Sequence, residues 1–527
     1  MSNDDVLIGK NIIEILTTGM YHNPLVIFRE YIQNSIDAIN EAVDLGLLAE
    51  LSDGDVQIYI DSTKKYVTFE DNGVGVPSET AWSILTSIAA SKKDRTKNLG
   101  FRGIGRLAGL AYCDELIIET SYKGEPTKTI LRWDGKKLRN IIGDRTDTKL
   151  ASEVIKDITT FENNLSESKD AHYFKVKLQN VKNEKLLNVS SVQKYLRMVA
   201  PVNFYTPRFM FTKPILEGLA DRDVECDGYR IFVNMEELFK GYRNFIYKND
   251  GDKKRSIDEI IDIDFIELHS KDNQLLAVGW YTLTKQMQLI PAYNEAWGIR
   301  FRKGNIQIGD EFTFQKFFRE NRFHRYFYGE IHVIHEELFP NGQRDYFDEC
   351  ELLSEFEDQL QKFANKLHGL CRKASDWNTA EKSVASCSTE VEKFEKTFES
   401  QEFYSPQHEE EEKEKLEKAK EKAEKAEKKL HRLREQAEDD VSLKRFVDYR
   451  TNTQTTKPEA TVEPKPEDKE PKNGKKYKAN KLSKLSKKEQ KLVGEIYEII
   501  RTVLSPDLQN NLIYKIEERF GPANNGE

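Results

Sequence analysis

The chain has 527 residues, more than one hydrophobic core usually organises, so two or three domains are expected. Charged residues make up 32% of it but the net charge is only −9, so global charge gives no support to nucleic-acid binding and leaves room for a local basic patch. No run approaches the length and apolarity of a membrane span, and the first residues lack the basic-then-apolar pattern of a secretory signal, so a cytoplasmic protein with no membrane contact is expected.

Residues 1–190 read as one α/β domain. Helical periodicity over Ile12–Met20 and Ile27–Leu47 gives way to strand-like runs at Val56–Ile60 and Tyr66–Glu70, and later at Glu115–Thr120, Thr127–Trp133 and His172–Leu178. In the second helical stretch Glu30, Asn34 and Asp37 fall on one polar stripe, i, i+4 and i+7, within a strongly apolar helix. A solvated face would tolerate any polar residues; this stripe points at something that needs a carboxylate and an amide. Tyr66–Glu70 then runs into Asp71-Asn72-Gly73-Val74-Gly75, where Gly73 and Gly75 permit positive φ and close approach of backbone to a ligand. After a loop bearing Lys93 comes Gly100-Phe101-Arg102-Gly103-Ile104-Gly105, ahead of an apolar helix. Glycines in that position let backbone N–H groups and the positive end of a helix dipole cradle phosphate.

Each signal alone is weak, but the order E-x3-N-x2-DA (Glu30, Asn34, Asp37, Ala38), then DNGxG, then GFRGIG resembles the GHKL ATPase superfamily, which includes gyrase, the ninety-kilodalton heat-shock chaperones, histidine kinases and MutL. The stretch Ile12–Ile39 is similar to the start of the chaperone nucleotide domain, and LGFRGIG to MutL. The resemblance implies a mixed sheet covered on one face by helices, a nucleotide-binding sandwich with ATP between helix and sheet. It makes Glu30 the carboxylate that activates the attacking water, Asn34 the ligand of Mg²⁺, Asp37 and Ala38 neighbours of the sugar and adenine side, and Asp71 the acceptor of the adenine amino group. Gly73 and Gly75 would lie against the base. Gly100, Phe101, Arg102, Gly103, Ile104 and Gly105 would form the phosphate loop, and Ser78–Leu99, with Lys93, a lid. Histidine kinases of the superfamily lack the carboxylate matched by Glu30, which favours hydrolysis over phosphotransfer. The family threonine near the adenine has no counterpart in Ala171–Val176; either the alignment slips there or another group makes that contact.

A connector over 191–227 leads to a second α+β domain, 228–375, which resembles the family's transducer domain. In the family a basic residue of that domain reaches the γ-phosphate, and Arg300, Arg302, Lys303 and Arg344 are the candidates. Over 376–440 two heptad seams stand on either side of Pro406: Trp377, Ala380, Val384, Cys387, Val391, Phe394, Phe398, and Leu416, Ala419, Ala423, Ala426, Leu430, Leu433, Ala437. They predict an antiparallel coiled-coil hairpin with large residues opposite small ones. Residues 450–482, rich in Thr, Pro, Glu and Lys, read as a disordered linker, and 483–522 as a small helical module whose two apolar stripes must dock or dimerise. Five cysteines without metal or redox spacing read as reduced thiols.

These readings imply an Mg²⁺-dependent ATPase driving a homodimeric clamp or chaperone-like cycle. The client is open: a protein, nucleic acid, or a partner subunit in a multi-protein system such as a prokaryotic defence module.

Overall fold

The alternating apolar pattern of the first domain folds into an eight-stranded mixed sheet backed by helices. The structure, a computed structural model, describes residues 8–17, 23–87, 105–144, 146–251, 253–400, 402–455 and 477–521. It divides into two compact units, residues 1–369 and 370–527.

In chain order the first unit begins with α1 (Asn11–Thr17), α2 (Val26–Asp44), β1 (Asp55–Asp61), β2 (Tyr66–Asp71) and α3 (Ser78–Thr86). There follow β3 (Glu115–Ser121), β4 (Thr127–Asp134), α4 (Gly135–Gly143), α5 (Ala151–Ile158), β5 (Thr159–Ser166) and β6 (Tyr173–Gln179). Helices α6 (Glu184–Leu187), α7 (Val189–Val199) and α8 (Thr212–Ala220) then lead to β7 (Arg230–Val233) and β8 (Glu236–Glu237). The strand order is β5-β4-β3-β6-β2-β1-β7-β8. Residues 230–237, expected in the second domain, therefore run in the first sheet, with β7 parallel to β1. A parallel neighbour needs a crossover, and α7 and α8 lie within the connecting stretch. Ile27, Phe28, Ile32, Ile36 and Ile39 of α2 pack with Val56, Ile58, Phe69, Leu116, Ile118 and Val176 in one core beneath the sheet.

The second sheet, β9 (Phe245–Asp250), β10 (Lys253–His269), β11 (Leu275–Thr284), β12 (Gly298–Lys303), β13 (Ile306–Ile308) and β14 (Tyr328–Val333), has the order β13-β12-β14-β11-β10-β9. β14 is buried along its whole length. It carries Glu330, which accepts from Lys240 Nζ at 2.8 Å, Arg302 Nε at 2.5 Å and the Tyr242 hydroxyl at 3.0 Å, all wholly or nearly wholly buried.

α9 (Glu351–Glu399) starts in the first unit and continues into the second, where it is followed by α10 (Pro406–Ala437) and α11 (Val441–Thr455). Ser405 caps α10, accepting from His408 N–H at 3.0 Å, and Pro406 takes the first helical position, where its missing N–H costs nothing. The ion pairs Asp376–Lys429 (2.9 Å) and Lys393–Glu412 (3.8 Å) show α9 and α10 side by side and antiparallel. Of the expected seams, Trp377, Ala380, Ala423, Ala426, Leu433 and Ala437 are buried, while Phe398 is exposed. α11 folds back on the base of this hairpin, with Phe446 edge-on to Trp377 and Arg450 paired to Glu381.

Both ends of the stretch 450–482, expected as a disordered linker, carry defined structure. Residues 450–455 are the last turns of α11, and Tyr477 forms a parallel bridge with Phe403. Residues 456–476 lie outside the described residues. The closing helices α12 (Lys487–Val503) and α13 (Pro506–Phe520) dock on the hairpin tip: Ser405 bonds Glu498 at 2.7 Å, Arg501 pairs with Glu411 at 2.7 Å, and Tyr404 meets Tyr497.

Candidate active site

The amphipathic pattern of α2 seats its apolar residues in the core and leaves Asn34 and Ala38, four residues apart, half-exposed on one line. Glu30, one turn before Asn34, is buried at 7% exposure, and Asp37 at 4%. Ala38 O accepts from Val74 N–H at 3.1 Å, which ties the turn after β2 to the helix.

Asp71 ends β2 with its carboxylate buried, and its Oδ1 accepts from Gly73 N–H at 3.0 Å. Register places Asp71 opposite Phe174 on β6, and Phe174 opposite Thr120 on β3, so the three side chains stand at one level across neighbouring strands. Ala171–Val176 holds no threonine, and one sits at this level on the adjacent strand. Thr120 Oγ1 accepts from Val76 N–H and donates to Tyr173 O, both at 2.9 Å, anchoring the far end of the turn. His172 Nδ1 lies 2.9 Å from Gly73 O. Asn72 faces away from the stripe, accepting from Asp55 N–H and donating to Asp53 O at 2.8 Å each.

The two glycines are closely approached by protein. A Cβ on Gly73 would lie 2.6 Å from Ala38 Cβ; one on Gly75, at φ +72°, would lie 1.9 Å from Ser121 O. Both make room for protein, helix on one side and strand backbone on the other, so the turn is pressed into place. Gly75→Ala should therefore cost on the order of 3 kcal/mol, from left-handed strain plus overpacking, and lower the thermal midpoint measurably. A midpoint equal to wild type would contradict this placement.

Four basic residues were candidates for reaching the phosphates, and the structure brings one of them to α2. Arg344, buried and at φ +55°, has Nε 3.6 Å from Glu30 Oε1. Arg29, the residue before Glu30, approaches the same oxygen at 3.4 Å and donates to Gln343 O at 3.1 Å and Arg344 O at 3.4 Å. The carboxylate thus sits between two guanidiniums, and Arg29 holds the turn that carries the second.

The other three are held elsewhere. Arg302 forks to Glu330, Asn305 O and Met198 O, with no exposed surface. Arg300 donates to Gln307 Oε1 at 3.0 Å and Glu295 O at 2.7 Å, and burial pulls its pKa down. Lys303 donates to Ile334 O and His335 O, and burial lowers its pKa to about 8.

Lys93, Gly100, Phe101, Arg102, Gly103 and Ile104 lie outside the described residues. Gly105 opens the helix expected after the glycines, a 3₁₀ helix over Gly105–Tyr112. Gly109 N–H donates to the Tyr31 hydroxyl at 3.2 Å, which pins this segment against α2. Among the described residues no group of three or more His, Cys, Asp or Glu is placed to hold a metal ion.

Residues 22–167 match the family model described as histidine kinase-, DNA gyrase B- and HSP90-like ATPase. The first domain is of the GHKL type. The GHKL domain is similar to the chaperone protein HtpG of Polaromonas naphthalenivorans, 29% identical over 139 residues, which is 23% of this chain and 22% of that protein. It is also similar to HtpG of Psychrobacter cryohalolentis, 29% identical over 140 residues (23% and 21%), and of Acinetobacter baylyi, 27% over 139 (23% and 22%). The chain thus spans about a fifth of the length of the curated relatives it matches. Helix α2, β2 and the Asp71–Val76 turn all fall inside the match. No described helix is long and apolar enough to cross a membrane.

Proposed function

We propose that the chain is an Mg²⁺-dependent ATPase whose GHKL domain hydrolyses ATP to ADP and phosphate and drives a chaperone-like cycle of a cytoplasmic, homodimeric clamp on a protein client. The observation that carries this is the meeting of Glu30 and Arg344, which come from distant parts of the chain and converge on the polar stripe of α2.

In this reading the Asp71 carboxylate accepts the adenine amino group, which selects adenine over guanine. Glu30 orients water and takes its proton as the water oxygen bonds to the γ-phosphorus and the bond to the bridging oxygen breaks; the proton passes to the released phosphate. Arg344 offsets the negative charge on the γ-phosphoryl oxygens, having only to move from the carboxylate to the phosphate beside it. Mg²⁺, held by the Asn34 amide oxygen and the phosphates, would neutralise phosphate charge. The chaperone-like cycle rests on the likeness to the HtpG proteins.

Steady-state ATPase assays of full-length variants test it. Arg344→Ala should lose about 10²-fold in rate while remaining folded, and Lys303→Ala should stay within about twofold of wild type. Chelating Mg²⁺ should abolish the activity. Equal rates for wild type and Arg344→Ala would overturn the catalytic assignment. Stimulation by duplex DNA but not by an unfolded protein would overturn the choice of client.

A further inference from the structure

Strands that seat alternate residues in a core turn the others the opposite way. Ile58 and Ile60 of β1, Val67 and Phe69 of β2, and Val176 and Leu178 of β6 pack in the core with α2. Tyr59, Thr68 and Lys177 therefore stand on the open face of the sheet, Tyr59 opposite Thr68 and Thr68 opposite Lys177. Much of that face is laced with ion pairs: Lys175 with Glu70, Lys128 with Glu119, Arg132 with Glu115 and Glu162, and Arg230 with Asp55. Such cross-strand pairs are what a solvated sheet face carries.

The corner formed by the end of β1, the start of β2 and the end of β6 differs. A cavity of about 530 Å³ opens there, lined by Tyr59, Tyr66, Thr68 and Lys177, by Lys64 from the β1–β2 turn, and by Gln179 and Asn180. Among the described residues, the side chains of Lys64, Thr68, Gln179 and Asn180 make no hydrogen bond or ion pair, and Lys177 has only its contact with the Tyr66 ring, 5.1 Å from Nζ to centroid. The polar groups of this corner are thus not spent on the protein. Its rim is nonetheless fixed, because Val181 N–H donates to Lys65 O at 2.8 Å and ties the two turns together.

Two ammonium groups without an acid call for an anion, and lysine, a compact point charge on a flexible stem, suits a phosphate. Tyr59, 38% exposed, offers a ring face on which a planar group can stack. The amides of Gln179 and Asn180 each supply a donor and an acceptor, which match the edge of a nucleobase. Acids bound the site: Asp61 accepts from Lys64 N–H at the turn, Glu70 pairs with Lys175, and Glu115 and Glu119 lie opposite Gln179 and Lys175 on β3. A phosphate backbone continuing across the sheet would run over those carboxylates, whereas one phosphate at the two lysines does not.

We propose that this corner binds a mononucleotide, its base stacked on Tyr59 and its phosphate held by Lys64 and Lys177. The site lies on the face of the sheet away from α2, so it is separate from Glu30 and Asp71 and stands independently of the ATPase reading. One stack and one phosphate in an open cavity give a dissociation constant of about 10⁻⁴ M at low salt.

Isothermal titration calorimetry of the full chain with UMP and with GMP tests the proposal; neither base carries the adenine amino group. At least one should bind, more weakly as salt rises. Tyr59→Ala should weaken binding by about 5- to 100-fold and Tyr59→Phe should retain it. Lys64→Ala and Lys177→Ala should each weaken it by about three- to tenfold, with circular dichroism equal to wild type. Asp71→Asn, on the other face, should leave it unchanged. No binding of either nucleotide at millimolar concentration would overturn the proposal, as would binding indifferent to Tyr59→Ala and Lys177→Ala, or binding lost in Asp71→Asn. Uridine binding as tightly as UMP would overturn the role of the lysines. A uridine oligonucleotide binding more than about 100-fold tighter than UMP would overturn the mononucleotide in favour of a strand. None of these outcomes depends on hydrolysis.

Discussion

Glu30→Ala should lower steady-state ATP hydrolysis by roughly 10²–10⁴-fold, the range for loss of a positioned general base, with ATP affinity within about threefold of wild type. Stability should fall as well, because Arg29 and Arg344, both buried, lose this counter-ion. Among the described residues the carboxylate makes ion pairs with Arg29 and Arg344, and Arg29 keeps its bonds to Gln343 O and Arg344 O when it is gone. The turn carrying Arg344 therefore stays anchored without Glu30. Glu30→Gln keeps the shape but cannot take a proton, and its rate should fall nearly as far. Single-turnover hydrolysis beside equilibrium binding of a fluorescent ATP analogue separates the two effects. A variant that binds and hydrolyses within about threefold of wild type would remove Glu30 from the chemistry. One that loses binding would make it a structural residue of α2.

The helix that carries this carboxylate was legible because its information is local. A polar stripe in an apolar helix requires only residues 30, 34 and 37, and the structure ties that helix, at Ala38, to the turn after β2. The turn was legible in position but not in purpose. Glycines at 73 and 75 announce a close approach, but only the fold shows that Ala38 and Ser121 do the approaching. Which of the four basic residues meets Glu30 was not legible at all. Arg302 and Arg344 differ in what lies across the sheet or loop from them, Glu330 for one and Glu30 for the other, and neither partner is near in sequence. Arg29 was missed for a related reason. Its role depends on carbonyls more than 300 residues away, and its only local sign is a guanidinium placed in an apolar helix. In the C-terminal module, the demand that two amphipathic helices dock or dimerise followed from pattern. The hairpin tip as the docking place did not, because its contacts join residues 403–411 to 477–501 across the segment 456–476.

The same long-range charge chemistry makes Glu330 the residue whose loss should most damage the first unit. It has no exposed surface, and two cations, Lys240 and Arg302, both buried, converge on it. Burial alone would raise its pKa, but Arg302 and then Lys240 overcome that and hold it well below the usual glutamate range. His332 is kept neutral by burial, despite its contact with Glu330 at 3.2 Å, so two cations share one carboxylate. Lys240 is the strained member, its pKa pulled down by burial and by the charge of Arg302. Glu330→Ala leaves both cations without a counter-ion in an apolar interior, a loss of about 3–5 kcal/mol, enough to unfold a marginally stable domain. Lys240→Met removes the strained cation and leaves an Arg302–Glu330 pair, so it should cost much less. Urea unfolding of the two variants should show that order, and equal costs would contradict the accounting. The pH dependence has a definite sign. A carboxylate with a depressed folded pKa contributes stability above the usual glutamate value and loses it as the pH falls toward the folded value, so the gap between wild type and Glu330→Ala should narrow in acid.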